Sequence, residues 1–182
     1  MSNAHRRKKD PAHVRAQLME SAAKMAIDHG LSSISVDAVS AAAGVTRGGF
    51  FHHFPNKQSL ISAVFNRLLE DFGATIESQM ASDPEPHGRY TRAYVELAFA
   101  ARESQNALAL WKSIILDSEF NIAWAEWQLA FLARQGHFEN STSMVAARFA
   151  ADGICLSDAV GATIPDRPAL KAYLLSKTVP PV

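Results

Sequence analysis

The sequence predicts an all-α protein, with a three-helix helix-turn-helix head at the N-terminus and a larger helical region after it. Three observations point there. Apolar residues recur three and four positions apart along most of the chain, and no strand-like alternation of useful length occurs. Glycine and proline fall between those periodic stretches rather than within them, with few exceptions. In the first third, two short helical segments joined by a tight glycine turn follow a longer one, which is the order of a helix-turn-helix.

The first helix starts near Pro11, whose missing N–H costs little in a first turn. Val14, Leu18, Ala22, Met25 and Ala26 then mark one face, and Gly30 is a natural stop. Ser35 is placed to cap the second helix, Val36 and Val39 give it an apolar edge, and Gly44 ends it. The turn "AGVT", Ala43 to Thr46, needs a positive φ that Gly44 supplies, and Val45 points back into the small core. Thr46 caps a third helix that stops before Pro55. Asn56 caps a long fourth helix with Leu60, Val64, Leu68 and Phe72 on its apolar stripe, widened by Ile61, Phe65 and Leu69. "SDPEPHG", Ser82 to Gly88, is the clearest break. Further helices are expected at about 89–103, 105–117, 120–135, 141–160 and 167–177, with Gly136 and Gly161 as stops. Gly153 falls inside a helix, where it permits a kink or a close helix contact. The organisation expected is an arm at 1–10, a head at 11–58 and a helical domain at 59–182.

Composition narrows the function. The 182 residues are 48% apolar and 20% charged, as in a globular protein rather than a disordered one. No apolar run approaches the ~20 residues that span a bilayer, and no segment reads as a secretory signal, so a cytoplasmic protein without a membrane partner is expected. A single cysteine, Cys155 between Ile154 and Leu156, excludes an internal disulfide and reads as a buried thiol. The formal charge is zero, yet residues 1–60 carry 8 Lys/Arg against 4 Asp/Glu, and the remainder 10 against 14. One basic end on an acidic body suits a protein that meets a polyanion at that end. The arm holds Arg6, Arg7, Lys8 and Lys9, able to follow a nucleic-acid backbone or enter a minor groove, and expected to be flexible without it. No cofactor and no catalytic residue are expected: there is no G-x-S-x-G turn, and "RGGFF" lacks a phosphate-loop lysine. His52 and His53 are adjacent on a helix, so they cannot both turn to one metal.

Within "SVDAVSAAAGVTRGGFFHHFPNKQSLISAVF", Ser35 to Phe65, an "SV" helix start, an "AAAGVT" turn, a ring followed by "HHF", and a lysine opening a long helix stand in one register. This resembles the DNA-binding domain of the TetR family of bacterial transcriptional regulators, over roughly residues 11–70. The second helix of such a motif enters the major groove with its N-terminal residues at the base edges. Small Gly48 and Gly49 would let that helix approach closely. Thr46 can cap the helix and donate to a phosphate with the same hydroxyl. Arg47 is the candidate base reader, its fork matching guanine O6 and N7, with a plain phosphate contact as the other reading. Phe50 and Phe54, four apart, face the head's core. The family usually carries tyrosine where Phe51 stands, so its phosphate contact is replaced here by an apolar one to sugar or a thymine methyl. The resemblance implies DNA contacts also at Ser35, His52 and His53, and a phosphate anchor at Lys57, which a helix N-terminus reinforces.

The resemblance further implies a C-terminal ligand-binding and dimerisation domain, a homodimer on a palindromic double-stranded DNA operator, and release of a repressor by a small-molecule effector. Phe99, Trp111, Trp124 and Trp127 are the candidate ligand-binding residues, within an aromatic set that also includes Phe120 and Phe131 and most of which reads better as core. Glu96, Asp117, Glu126 and Asp152 lie near this set, and a carboxylate beside aromatic walls would suit a flat cation. "AARFAADGICL", Ala146 to Leu156, resembles a segment near the family's dimer helices, and Met144, Val145, Phe149, Ile154, Leu156, Val160, Leu170, Tyr173 and Leu174 provide apolar surface for such an interface. Two other readings stand beside this one: a DNA-binding dimer whose second domain takes no small ligand, and an all-helical enzyme with a vestigial head.

Overall fold

The computed structural model describes residues 10–29 and 34–179, apart from the side chains of residues 27–29 and 116. The basic arm and the stop expected at Gly30 lie outside the described residues. Among the described residues nine α-helices run in order: α1 (Pro11–His29), α2 (Val36–Ala42), α3 (Arg47–His53), α4 (Lys57–Ser82), α5 (Arg89–Ala100), α6 (Gln105–Leu116), α7 (Ser118–Leu132), α8 (Thr142–Ala159) and α9 (Arg167–Ser176). No strand occurs among the described residues. The chain forms two compact units, residues 1–64 and 65–182, and α4 contributes its first turns to one and the rest to the other.

In the first unit α1, α2 and α3 pack against one another around Leu18, Ala22, Val39, Phe50 and Phe54, all buried. Short helices such as α2 and α3 cannot hold themselves by propensity and depend on this packing and on their caps. Ser35 Oγ accepts from Ala38 N at 3.1 Å, Thr46 Oγ1 from Gly49 N at 3.0 Å, and Asn56 Oδ1 from Ser59 N at 2.7 Å. Gly44 sits at φ 67°, the left-handed turn conformation that glycine adopts without strain. Val45 is half-buried.

The second unit is built on α5, which packs against α8 and α9, while α6 packs on α7 and α8. Two short 3-10 turns, Ala101–Glu103 and His137–Asn140, interrupt regions the sequence reads as helix end or loop. The second has a structural task. Glu139 is buried and caps α5 from 49 residues away: its carboxylate accepts from Tyr90 N at 3.0 Å, Thr91 N at 3.3 Å and Thr91 Oγ1 at 2.6 Å. Arg148 of α8, also buried, lies 3.5 Å from it and donates to Thr91 Oγ1 and to the Glu139 carbonyl.

Candidate nucleic-acid interface and effector cavity

The helix-turn-helix presents a run of exposed side chains at the start of α3. Thr46, Arg47, Gly48, Phe51 and His52 are exposed, as are Ser35 at the head of α2 and Lys57 at the head of α4; Gly49 and His53 are half-buried. Thr46 and Ser35 each use one oxygen lone pair for capping, which leaves the hydroxyl proton to donate. Gly48 and Gly49 lie in ordinary helical backbone, neither with a positive φ. A Cβ on Gly48 would come no nearer than 3.9 Å to its surroundings, and one on Gly49 would rest at 3.4 Å from Thr46 Oγ1. Nothing inside the chain therefore requires glycine at position 48, and little does at 49. Phe50 and Phe54 fill the core, with the Arg15 guanidinium 4.8 Å from the Phe54 ring centre. Phe51 instead stands out at 45% exposure, edge-on to Phe50. Arg47 donates from Nη1 to Asp37 Oδ1 at 2.6 Å, a partner the sequence reading did not find because Asp37 sits on the preceding helix. His52 and His53 lie edge to face, 5.2 Å apart.

In the second unit the tryptophans form one packed cluster. Trp111 and Trp124 are 5.0 Å apart between ring centres, Trp124 stacks on Trp127 at 5.3 Å, and Phe72 touches all three. Tyr94 meets Trp111 and Trp124. Trp127 reaches α4 because Gly73 has no side chain: a Cβ there would lie 3.2 Å from the indole. Phe72, Gly73 and Tyr94 belong to the cluster and were not singled out for it from sequence, since ring neighbours on other helices leave no local pattern. Phe99 stands apart, under the Arg167 guanidinium at 5.1 Å.

Open space in this unit is found outside the tryptophan cluster. A cavity of about 210 Å³ is lined by Leu68, Asp71, Phe72 and Thr75 of α4, Leu97 and Ala100 of α5, and Ser104, Asn106, Ala107 and Leu110 at the start of α6. Of the aromatic cluster only Phe72 reaches it; Phe99, Trp111, Trp124 and Trp127 do not line it. Its one carboxylate, Asp71, pairs with exposed Arg67 at 3.0 Å.

Of the four carboxylates noted near the rings, one meets them. Glu96 pairs with Lys171, Asp117 caps α7, and Glu126 is exposed. Asp152 alone turns inward, accepting from the Tyr94 hydroxyl. Burial raises its pKa to about 6, against the Tyr94 hydrogen bond and the Arg148 charge, which pull it down. The folded state thus favours the protonated form. The cost of ionising Asp152 is absent below pH 4, grows through the window from about 4 to 6, and is complete above it, at roughly 3 kcal/mol. Asp152→Asn, a neutral mimic, should match the wild type at pH 4 and exceed it in stability at pH 7; urea midpoints at both pH values check this. Burial also pushes the Cys155 thiol up, in keeping with a structural role.

The surface of α8 and α9 carries large apolar side chains. Phe149, Leu156 and Val160 are 71%, 46% and 67% exposed, and Tyr173 is 58% exposed. Phe149, Gly153 and Leu156 recur at helical spacing on one face of α8, and Val160 follows as its C-cap. Met144, Ile154 and Leu174, read from sequence as surface of the same kind, are instead buried in the chain's own core, where α8 meets α5 and α9. Among the described residues no cluster of three or more His, Cys, Asp or Glu side chains could hold a metal, and no helix is long and apolar enough to cross a membrane.

Comparison with known proteins agrees with this geometry at both ends of the chain. Residues 18–64 match the family model for bacterial regulatory proteins of the tetR family, and residues 88–177 match a tetracyclin repressor-like C-terminal domain. The chain belongs to the TetR family and is a DNA-binding transcriptional regulator with a helix-turn-helix head. It is similar to the HTH-type transcriptional regulator BetI of Brucella suis, with 24% identity over 170 residues, 84% of this chain and 83% of that protein. It is 33% identical to the transposon Tn10 TetC protein of Escherichia coli over 69 residues, 38% of this chain, and spans only about a third (35%) of that protein's length. A solved structure of the multidrug binding protein EbrR, complexed with malachite green, superimposes with a TM-score of 0.70 at 23% identity, over 92% of this chain and 98% of that one.

Proposed function

We propose that the protein is a homodimeric repressor that binds a near-palindromic operator through α3 of each copy and leaves it when a small molecule enters the second unit. The observation that carries the DNA half is the exposed start of α3. Two glycines that the fold itself does not need are set between an exposed arginine and an exposed ring. Arg47 reads a guanine edge, Thr46, Ser35 and Lys57 hold phosphates, His52 and His53 flank the groove, and Phe51 packs on sugar or a thymine methyl. The exposed face of α8 and α9 pairs with its copy and sets the two recognition helices about 34–36 Å apart, one turn of DNA. Gly48→Ala and Gly49→Ala test the close approach. Helix propensity says they leave the melting temperature unchanged or raise it, while operator affinity falls about tenfold, ~1.4 kcal/mol. Unchanged affinity in both would remove the glycines from the interface.

The effector site is the cavity on α4, α5 and α6. At about 210 Å³ it is smaller than the roughly 300–1,000 Å³ of typical ligand sites. A drug-sized ligand therefore enters only as the walls move, and the wall formed by Leu68 to Thr75 is part of the helix whose first residue is Lys57. That coupling gives the ligand-free and ligand-bound states different DNA affinity, as release requires. Asp71 and Phe72 in the wall, and the malachite green held by EbrR, support a planar aromatic cation as its class. Tryptophan fluorescence titrated with malachite green and with neutral aromatics of similar size checks it. A saturable response to the neutral compounds alone contradicts the cationic class. No response to either favours a second unit that only dimerises.

A further inference from the structure

The geometry points to Asp37 as a specificity-determining positioning residue: it holds the Arg47 guanidinium over the Phe51 ring, so that one edge of the fork is fixed toward the DNA. Three exposed side chains from two helices meet here. Asp37 Oδ1 takes the Arg47 Nη1 proton at 2.6 Å, and the Arg47 Cζ lies 5.6 Å from the Phe51 ring centre, within cation–π range. The carboxylate and guanidinium side chains are 75% and 61% exposed. An ion pair this wet adds little to stability, so its consequence lies in geometry. An unrestrained arginine loses side-chain entropy when it reads a base, and it samples phosphate and base contacts alike. Here one nitrogen is occupied and one face is covered, while no described residue bonds Nη2 or Nε. That remaining edge is the two-donor fork that matches guanine O6 and N7. The arrangement also assigns a task to Phe51 that needs a flat ring and no hydroxyl. Asp37 itself acts through Arg47 and touches no base.

This inference rests on Arg47 reading a base, and the test separates the two. The wild type selects a consensus from a random duplex pool, and affinities are then measured on every single-base change of one half-site. Arg47→Ala should erase the preference at one position, by about 5- to 150-fold, the range of one bidentate guanine contact. Asp37→Asn should lose at least fivefold of the preference at that same position. Its affinity for unrelated DNA should stay equal or rise, because a negative charge near phosphate is gone. The double variant should match Arg47→Ala alone. Thermal melts of each variant give the independent check on folding, since a purely structural role for Asp37 at the start of α2 would move the melt and not the preference. If Arg47→Ala erases the preference and Asp37→Asn keeps it, this inference fails and the base-reading role stands. If Asp37→Asn alters a position that Arg47→Ala leaves alone, Asp37 reads a base itself and the positioning role is wrong. If Arg47→Ala changes no position, or no consensus emerges, both fall together.

Discussion

Replacing Phe149 by glutamate should yield a folded monomer whose affinity for the operator is lower by at least about a hundredfold. Phe149 projects from α8 with 71% of its surface exposed, so the chain's own core loses nothing when it is changed. Leu156, Val160 and Tyr173 are exposed as well, and soluble monomers seldom leave a large apolar patch open. Gly153 lies on the same face of α8 with no atom within 4 Å of where its Cβ would be, which allows a partner helix to cross closely. A C₂ interface places Phe149 twice, so two carboxylates would be forced into an apolar contact. The loss on DNA follows from linkage rather than from any change in the head. Two half-sites held together gain about 10²–10⁴ in avidity over one, and a monomer forfeits that gain. Sedimentation of the variant, with circular dichroism to confirm its helices, checks the first part; binding to a full and a half operator checks the second. A variant that stays dimeric and binds normally would place the interface elsewhere.

Glu139→Ala should cost about 3–5 kcal/mol of stability, the range for breaking a buried ion pair from one side. The carboxylate closes two free N–H groups at the start of α5 and the Thr91 hydroxyl, and it faces Arg148 in a buried setting. Without it, Arg148 keeps Thr91 Oγ1 and the carbonyl of residue 139 as hydrogen-bond acceptors, but no carboxylate in direct contact with its buried charge. Glu139→Gln retains an acceptor for the helix start but loses the charge, and falls between. Urea denaturation at neutral pH measures both. Because α5 also carries Tyr94, Leu97 and Ala100, the variant should show a weakened aromatic cluster as reduced tryptophan ellipticity before global unfolding. A loss below 1 kcal/mol would mean that water replaces the carboxylate without penalty.

The helical plan was legible because helices write a local period. Leu18 and Ala22, Leu60 and Val64, and Phe50 and Phe54 announce their buried faces at spacings of four. Caps were legible for the same reason: Ser35, Thr46 and Asn56 act within three residues. What was hidden acts across sequence. Glu139 falls between two of the expected helices, and nothing near it shows that α5 begins 50 residues earlier needing a cap. Gly88, read only as part of a break, has φ 73°, and a Cβ there would strike the Thr178 carbonyl oxygen at 2.1 Å. Met144, Ile154 and Leu174 share their helices with residues that are truly exposed, and a one-position error in the facing angle moves a side chain from surface to core. The cavity illustrates the limit from the other side. The aromatic residues that draw attention in the sequence pack against one another, while much of the space is framed by Thr75, Ser104, Asn106 and Ala107, which are unremarkable in any window. Asp37 and Arg47, ten residues apart across a turn, become partners only once α2 and α3 have packed.

Sequence reading by α3 is tested by fluorescence anisotropy of the purified protein with DNA from immediately upstream of its own coding sequence, against a random duplex of equal length, across several salt concentrations. Tight binding at one dimer per near-palindrome, selective over random DNA by at least about a thousandfold and weakened in selectivity by Arg47→Ala, is the result this account predicts. Equal, weak and steeply salt-dependent binding to both duplexes, unaltered by Arg47→Ala, would show only a basic surface and would contradict sequence reading by α3.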